Sequence, residues 1–419
     1  MKTTKDQPFA ALVGIDWADR KHDVCLQLCG STAREFSVLP HKPEAIEAWA
    51  AELRRRVGGK PVALCLEQCK GPLLYALCKY DFIVLFPVNP QTVARYRRAF
   101  TPSRAKDDPR DADILVDLLE RHGDKLTAWR PSSPQLRALQ QLVEMRRKLV
   151  AEKVRLTNRI TASLKNYYPQ ALDWFKDKDT QIFCDFLLRW PSLNAAKRTR
   201  KETLLQFFQC HNARYPEINA RRVEQIKAAS PLTEDDGVIY PNQLLMQALV
   251  TQLKVVLESI LTFDKEIQTL FSQHDDAALF QALPGAGKQF APRLLAAFGE
   301  DRNRFPNACD LLQYAGIAPV TERSGNKSWV HWRYSCPKFL RQSFVEWAGE
   351  TVRHSFWARA YYQQQRSKGK AHAVAVRALA FKWIRILHRC WLNRTPYDEA
   401  RYLMVLQDKG SPLIATLNR

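Results

Sequence analysis

The sequence predicts an α/β domain at the amino terminus, followed by a mostly helical remainder. Short apolar runs alternate with amphipathic stretches over about the first third of the chain, which is typical of a sheet flanked by helices. Farther along, leucines recur at helical spacing. A chain of 419 residues is long enough for two or three domains. We therefore expect three parts, which cover residues 1–130, 131–275 and 276–419.

Five strands are predicted in the first part. The first strand, residues 10–16, is an apolar run that ends on an acid, and so is the fourth, residues 62–67. The other predicted elements are strands 23–28, 31–38 and 83–88, helices 43–55 and 73–79, and helices that start at Gln91 and Pro109. Three strands followed by helix-strand-helix-strand-helix is the order of a mixed, ribonuclease-H-like sheet.

The middle part is predicted to be helical. Leu142, Leu149 and Leu156 recur every seven residues. This pattern fits either a short coiled coil or an amphipathic helix that faces a core. A second long helix, residues 244–271, is expected to return beside the first, after an exposed and turn-rich linker over residues 230–241.

The net charge indicates a polyanionic partner. Lys and Arg number 64 against 43 Asp and Glu, which gives a formal charge of +21. Such a surplus favours nucleic acid or an acidic membrane surface over a small metabolite. The chain has no uninterrupted run of 18 apolar residues, and its first residues do not resemble a signal peptide. We therefore expect a cytoplasmic protein without a membrane span.

Four acids are candidates for a metal site. Asp16 and Glu67 end predicted strands, at the carboxyl edge where α/β sheets usually bind ligands. Asp108 and Asp111 lie three residues apart and share a helix face. Carboxylates that converge on one point repel each other unless a hard cation lies between them, and Mg²⁺ prefers oxygen ligands. Two such ions could hold the attacking and leaving oxygens of a phosphodiester.

A structural interpretation of the second pair is also open. Asp108 followed by Pro109 suits a helix N-cap, and Asp111 then has the position of the partner in a capping box. Acids at the ends of buried strands are harder to explain in this way, because a buried charge without a partner is costly. Asp16 and Glu67 therefore favour a functional site.

Two basic stretches that also carry aromatic residues are predicted to contact nucleic acid. Arginines pair with phosphates, and aromatic rings stack on bases. The alternative for the first stretch is a solvated helix face with Phe100 turned inward. The candidate contacts are Arg95, Arg97, Arg98, Arg104, Lys106, Arg323, Lys327, Trp332 and Arg333.

The last third presents a serine in an exposed loop, at Arg323-Ser324-Gly325. Neighbouring cations or a metal could activate the Ser324 oxygen as a nucleophile toward a phosphodiester. Ser-Gly is also common turn chemistry, so a structural role is open. Upstream, Leu283-Pro-Gly-Ala-Gly opens a helix and predicts either a phosphate-binding turn or a plain tight turn.

Taken in order, these motifs resemble the insertion-sequence 110 family of transposases over nearly the whole chain. The segments similar to its DEDD signature are Val13-Gly-Ile-Asp16, Leu66-Glu67 and Lys106-Asp-Asp108-Pro-Arg-Asp111. The segments similar to its second conserved domain are Leu283-Pro-Gly-Ala-Gly, Tyr314-Ala-Gly-Ile-Ala-Pro and Arg323-Ser324-Gly325. Asp107 departs from the family, which usually has threonine there, and the spacing to Asp111 favours Asp108 as the ligand.

The resemblance implies a RuvC-like domain, a coiled coil and a carboxy-terminal transposase domain with a catalytic serine. The acids Asp16, Glu67, Asp108 and Asp111 would bind Mg²⁺. Ser324, with Ser328 as a nearby alternative, would attack the DNA backbone and form a transient 5′-phosphoserine link. The resemblance further implies a structured bridge RNA that pairs with target and donor DNA, a homodimer, and a tetramer on DNA.

Two other functions fit the residues. One is a metal nuclease similar to a Holliday-junction resolvase, which uses water as the nucleophile and leaves Ser324 structural. The other is a non-catalytic RNA-binding protein whose acids are helix caps and core partners. Replacement of Ser324 distinguishes the three, because only a serine recombinase would lose strand cleavage.

Overall fold

The chain divides into two compact units, Met1–Ser132 and Ser133–Arg419. The structure is a computed structural model that describes residues 9–67, 71–100, 108–211 and 215–417. The predicted three-part division stays a prediction. Each unit is described by itself below.

The first unit is built on a mixed five-stranded sheet of order β3-β2-β1-β4-β5. Neighbours β1, β4 and β5 are parallel, whereas β2 runs antiparallel to both β1 and β3. The strands are β1 (Ala11–Asp16), β2 (Lys21–Leu28), β3 (Arg34–Pro40), β4 (Val62–Leu66) and β5 (Ile83–Pro87). The helices are α1 (Pro43–Arg56), α2 (Pro72–Leu77), α3 (Pro90–Phe100) and α4 (Asp108–His122). The prediction of an α/β domain with these five strands is confirmed.

Helices cover both faces of the sheet, because alternate strand residues point to opposite sides. Leu64 packs in one core with side chains of α1 and α2, such as Leu53 and Leu74. Its neighbour Cys65 packs in a second core with side chains of α3 and α4. Central strands buried on both faces are continuous apolar runs in the sequence, which is why they were predictable.

Helix α4 lies against β1 at a glycine. A Cβ atom on Gly14 would lie 2.1 Å from the Ala112 carbonyl oxygen, so no side chain fits between strand and helix. Asp113 accepts a hydrogen bond from Cys25, which pairs with Gly14, and Glu120 accepts one from Gln27, farther toward the start of β1. Helix α4 therefore runs antiparallel to β1, and its first turn lies toward the carboxyl end of that strand.

The second unit is helical apart from one hairpin, β6 (Val320–Ser324) with β7 (Lys327–His331). Its first helices are α5 (Pro134–Tyr167), α6 (Gln170–Trp174), α7 (Gln181–Arg189), α8 (Leu193–Arg198), α9 (Lys201–Cys210), α10 (Pro216–Ala228) and α11 (Asp236–Ser272). The others are α12 (Ala277–Gln281), α13 (Gly287–Phe298), α14 (Ala308–Tyr314), α15 (Lys338–His354), α16 (Phe356–Ser367), α17 (His372–Asn393), α18 (Glu399–Asp408) and α19 (Pro412–Leu417).

The long helices α5 and α11 pack side by side in opposite directions. Arg146 forms an ion pair with Asp264, and Ser163 donates a hydrogen bond to the Asn242 carbonyl oxygen. The predicted return of a second long helix is confirmed. The predicted linker over 230–241 is wrong in its second half, because Asp235 caps a helix that already begins at Asp236.

Two apolar cores lie along this helix pair. The first joins the carboxyl half of α5 to helices α6 to α11, with Phe186 and Phe208 at its centre. The second joins the start of α5 to α12–α17 and contains four fully buried tryptophans, namely Trp347, Trp357, Trp383 and Trp391.

Helix α11 bears on the expectation that the chain has no membrane span. By length and composition alone it is apolar enough to cross one, with a mean hydropathy of 1.5 over 18 residues. The helix contains no uninterrupted apolar run of 18 residues, because uncharged polar residues such as Gln247 and Thr251 interrupt it without adding charge. One such helix is weak evidence of a span, and α11 contributes Met246, Leu249 and Leu253 to a core.

We expect the close contact at Gly14 to make replacement of this residue strongly destabilising. The added methyl group of Gly14→Ala would overlap the Ala112 carbonyl and force α4 away from the sheet. The expected loss is about 2 to 3 kcal/mol in the free energy of unfolding, measured by urea denaturation of the full chain.

The matched control is Gly349→Ala. Gly349 lies within helix α15, where a new methyl group would only touch Val376 at 3.6 Å. This variant should be as stable as the parent or gain about 0.5 to 1 kcal/mol. A Gly14→Ala protein as stable as the parent would contradict the close contact.

Candidate active site

Two of the predicted acids lie beside each other at the carboxyl edge of the sheet. Asp16 is the last residue of β1, and Glu67 follows β4 directly. Ile15 pairs in parallel register with Leu66, so the next residue of each strand lies at the same level of the edge. Both acids are partly exposed. The edge therefore presents two carboxylates to solvent from neighbouring strands.

Asp111 is almost fully buried and is paired with an arginine. Its side chain is only 4% exposed, and both of its carboxylate oxygens accept hydrogen bonds from Arg97 of α3, at 2.5 and 2.6 Å. A buried carboxylate requires such a partner. The sequence had predicted Asp111 as a metal ligand and Arg97 as a nucleic-acid contact, and the structure brings the two side chains together.

Asp108 is the first residue of α4, whose first turn lies toward the carboxyl end of β1. The Asp108 side chain lies outside the described residues, as do Arg104, Lys106 and Asp107. Among the side chains that the structure describes, no group of three His, Cys, Asp or Glu residues is arranged to hold a metal ion. The roles of the four acids thus remain predictions.

A network of charges on the other side of α4 was not predicted. Arg34 on β3 forms ion pairs with Asp113 and Asp117 at 2.6 Å and with Glu120 at 3.2 Å. These acids hold the sheet and helix together. The partners are about 80 residues apart in the chain, and no local sequence signal connects them.

A histidine pair behind Asp16 was also missed. His22 is fully buried, accepts a hydrogen bond from the Ala18 backbone amide at its Nδ1 atom, and contacts His41 through Nε2 at 2.9 Å. Burial and the nearby His41 lower the pKa of His22 to about 4. A neutral His22 therefore donates from Nε2 to His41 and fastens the turn that follows Asp16.

Ser324 lies at the tip of the β6–β7 hairpin. It is the last residue of β6 and pairs with Lys327, the first residue of β7. Gly325, in the turn between them, has a φ of 55°, which favours glycine. Arg323, Ser324 and Lys327 are all exposed. The hairpin thus presents an exposed hydroxyl group next to Arg323 in the chain and opposite Lys327 in the strand pairing.

An ion pair farther down the hairpin braces its two strands. Glu322 contacts His331 Nε2 at 2.7 Å and accepts a hydrogen bond from the Trp329 indole at 3.0 Å. His331 Nδ1 faces the Trp332 carbonyl oxygen at 2.9 Å. The hydrogen bond to Glu322 raises the pKa of His331, and the same bond lowers the pKa of Glu322. Both ring nitrogens face acceptors, which suits a protonated imidazole.

The other predicted nucleic-acid contacts differ in exposure. Arg95 and Arg98 are exposed on α3, whereas Trp332 and Arg333, which follow the hairpin, are half-buried. Trp332 contacts the guanidinium groups of Arg341 on α15 and Arg377 on α17. Sequence reasoning had not connected those arginines to this tryptophan.

The glycine-rich turn before α13 makes close packing contacts. A Cβ atom on Gly285 would lie 2.8 Å from the His354 ring, and the Pro284 carbonyl accepts a hydrogen bond from Trp347. Of the two interpretations of this turn, the tight turn explains these contacts without a ligand.

Comparison with known proteins gives matches over both units. A family model for DEDD transposases of the IS110 group, described as "Transposase", matches residues 13–169. A second model, described as "Transposase IS116/IS110/IS902 family", matches residues 277–363. The first match includes Asp16, Glu67, Asp108 and Asp111, and the second includes Ser324.

Several curated bacterial proteins are similar along much of their length. A "Mini-circle putative transposase for IS117" from Streptomyces coelicolor is 30% identical over 94% of this chain and 97% of its own length. An "Insertion element IS110 uncharacterized 43.6 kDa protein" from the same organism is 26% identical over 71% of this chain and 73% of its own length. A "Putative transposase y4uE" from Sinorhizobium fredii is 28% identical over 48% of this chain and 56% of its own length. With both family models in chain order and a relative that matches it almost from end to end, the chain belongs to the IS110 family of DNA transposases.

Proposed function

We propose that this transposase cuts and rejoins DNA strands with acids that bind Mg²⁺ in the first unit and with Ser324 as the nucleophile. The observation that carries the proposal is the position of Asp16 and Glu67 at one sheet edge, with the first turn of α4 directed toward that edge. The strand order β3-β2-β1-β4-β5 supports a ribonuclease-H and RuvC-like identity for this domain.

The donor set at the sheet edge suits a divalent cation. Asp16 and Glu67 offer carboxylate oxygens, the ligands that Mg²⁺ prefers, and they are partly exposed. Asp108 would add a third carboxylate from the start of α4, and Asp111 would join only by giving up contacts with Arg97. When bound, the metal would neutralise charge on the phosphodiester and stabilise the leaving oxygen.

The serine step conserves the energy of the phosphodiester bond. The Ser324 oxygen loses its proton and attacks phosphorus, so a serine–phosphorus bond forms while the bond to the 3′ oxygen breaks and that oxygen takes up a proton. The new DNA end is a 5′-phosphoserine ester. A 3′ hydroxyl group from another strand then attacks this ester, releases the serine and restores a phosphodiester. Arg323 and Lys327 beside the serine would hold the phosphate oxygens.

Target choice would come from a structured bridge RNA that pairs with target and donor DNA. The net charge of +21 supports contacts with the backbones of both nucleic acids. We also propose that the α5–α11 pair acts as a coiled coil that joins two chains, with a tetramer on DNA. Exposed apolar residues on these helices support this role, namely Val154, Leu244, Val255 and Leu261. Such a protein would act in the cytoplasm of a prokaryotic cell, where the DNA is.

Replacement of the proposed nucleophile should abolish the covalent intermediate. We expect Ser324→Ala to lower strand cleavage by roughly 10,000-fold or more and to remove any protein–DNA adduct seen on a denaturing gel. The matched control is Ser328→Ala, on the facing strand of the same hairpin, which should still form the adduct. Metal-dependent cleavage that persists in Ser324→Ala would instead indicate a resolvase-like nuclease that uses water.

Replacement of an acid at the sheet edge should separate cleavage from binding. We expect Asp16→Asn to lower Mg²⁺-dependent cleavage by roughly a hundredfold or more, because a neutral amide holds the cation less tightly. Nucleic-acid binding in a gel-shift assay with EDTA should change little. Asp19→Asn, in the exposed turn three residues later, is the control and should cleave normally. Full recombination by Asp16→Asn would exclude this metal site.

The RNA part of the proposal can be tested without knowledge of the target. The full chain, co-expressed with the DNA that flanks its gene, should copurify with one structured RNA from the adjacent non-coding region. Sequencing of the copurified RNA checks this and gives candidate targets by base pairing. A purified protein with only random cellular RNA would contradict guidance by RNA.

A further inference from the structure

Two arginines contact the ring of one tryptophan just after the β6–β7 hairpin, and a third arginine follows that tryptophan in the chain. Trp332 and Arg333 follow β7, Arg341 lies in the first turn of α15, and Arg377 lies in α17. The guanidinium carbon of Arg341 lies 4.9 Å from the centre of the Trp332 ring, and the Arg377 guanidinium lies over the same ring. Arg341 donates a hydrogen bond to the Arg333 carbonyl oxygen. We call these four residues the arginine cluster.

The arginine cluster has no carboxylate partner among the residues that the structure describes. None of its three guanidinium groups forms an ion pair there. Two of its nitrogen atoms, Nε of Arg333 and Nε of Arg377, are buried without a hydrogen-bond acceptor. Arginine donors that are removed from water and left without acceptors are costly.

Nearby acids are already engaged elsewhere. Glu322 is bound to His331 and Trp329 on the hairpin, and Glu346 of α15 is bound to Arg293 and Arg147. Burial and the positive charge of Arg341 lower the pKa of Arg377, as expected for a cation that faces another cation. The cluster thus concentrates positive charge that no acid in the described part of the chain neutralises.

We propose that the arginine cluster binds a phosphodiester of the DNA strand that Ser324 attacks. Arginines stacked on an aromatic face keep the N–H groups at their edges free to donate to phosphate oxygens. From Lys327, which faces Ser324, to Trp332 is five residues, or about 16 Å of extended chain. The bound phosphate would therefore lie a few nucleotides from the one that is cut.

This inference rests on the proposed role of Ser324 only for the position of the phosphate along the strand. That the cluster binds DNA depends on charge and geometry alone. The sequence placed Arg377 on a cationic helix face but did not connect Arg341 or Arg377 to Trp332, since Trp332, α15 and α17 meet only in the folded chain. Binding and cleavage can be measured separately, so one part can fail without the other.

The test measures DNA affinity against salt. Fluorescence anisotropy with a labelled 30-base-pair duplex, from about 50 to 300 mM KCl, gives the number of phosphates neutralised. We expect Arg377→Gln and Arg341→Gln each to lower the slope of log affinity against log salt by about 0.9, the value for one contact to duplex DNA. All proteins carry Ser324→Ala so that no strand is cut.

The matched control is Arg389→Gln. Arg389 is exposed on the same helix as Arg377, three turns farther along, and its replacement should leave the salt slope unchanged.

A scan with methylphosphonates then finds the contacted phosphate. Neutralising that position should weaken DNA binding by the Ser324→Ala protein but not by its Arg377→Gln derivative. An unchanged slope in both arginine variants overturns the proposal, and a change seen only with an RNA hairpin reassigns the cluster to RNA.

Stability separates a binding role from a packing role. Because Arg377 faces another cation, Arg377→Gln should keep or raise the melting temperature of the DNA-free protein while it weakens DNA binding. If Arg377→Gln greatly lowers the melting temperature, the test of a binding role depends on Arg341→Gln instead. If both variants melt early, the guanidinium groups serve packing and the proposal is wrong.

Discussion

The contact between β1 and α4 at Gly14 determines how the first unit is arranged. Without a side chain at this position, the helix backbone comes close enough for Ala112, Leu115 and Val116 to pack directly on the strand. The helix runs against the direction of the strand, so its first turn lies toward the edge that carries Asp16 and Glu67. The Arg34 network then fixes the helix on its outer side. Any chemistry at the edge depends on this one close approach.

The same packing explains why Asp111 needs Arg97. Helix α4 turns Asp111 inward, where an isolated carboxylate would be expensive, and one guanidinium nitrogen of Arg97 on α3 donates to both of its oxygens. A cation that recruited Asp111 would compete with this arginine for the same oxygens. Burial does not impose the same requirement for a cationic partner on Asp16 and Glu67, since both are partly exposed. Asp16, Glu67 and Asp111 therefore differ in their environments, which their spacing in the sequence does not reveal.

How much the sequence could predict depended on whether the signal was local. The strands were predictable because β1 and β4 are buried on both faces and form continuous apolar runs. The Asp111–Arg97 pair, the Arg34 network and the stacking of arginines on Trp332 were not, because their partners come from separate elements. The start of α11 was misjudged because the polar residues near Asp235 suit a helix cap as well as a linker. The order of the motifs along the chain was enough to identify the family. Which side chains contact each other depends on the tertiary fold and was not predictable from that order.

The β6–β7 hairpin needs contacts beyond its own two strands, since two strands alone are marginally stable in water. Ser324 lies at its exposed tip, and Glu322 joins the two strands through its contacts with His331 and Trp329 in addition to their backbone ladder. An exposed tip gives the hydroxyl group access to a large substrate but little fixed orientation. Order must then come from contacts at the base of the hairpin, where Trp332 is held between arginines from α15 and α17. A nucleic-acid backbone held there would neutralise those arginines and limit the positions of the tip, so that substrate binding itself would complete the alignment of Ser324, the proposed nucleophile.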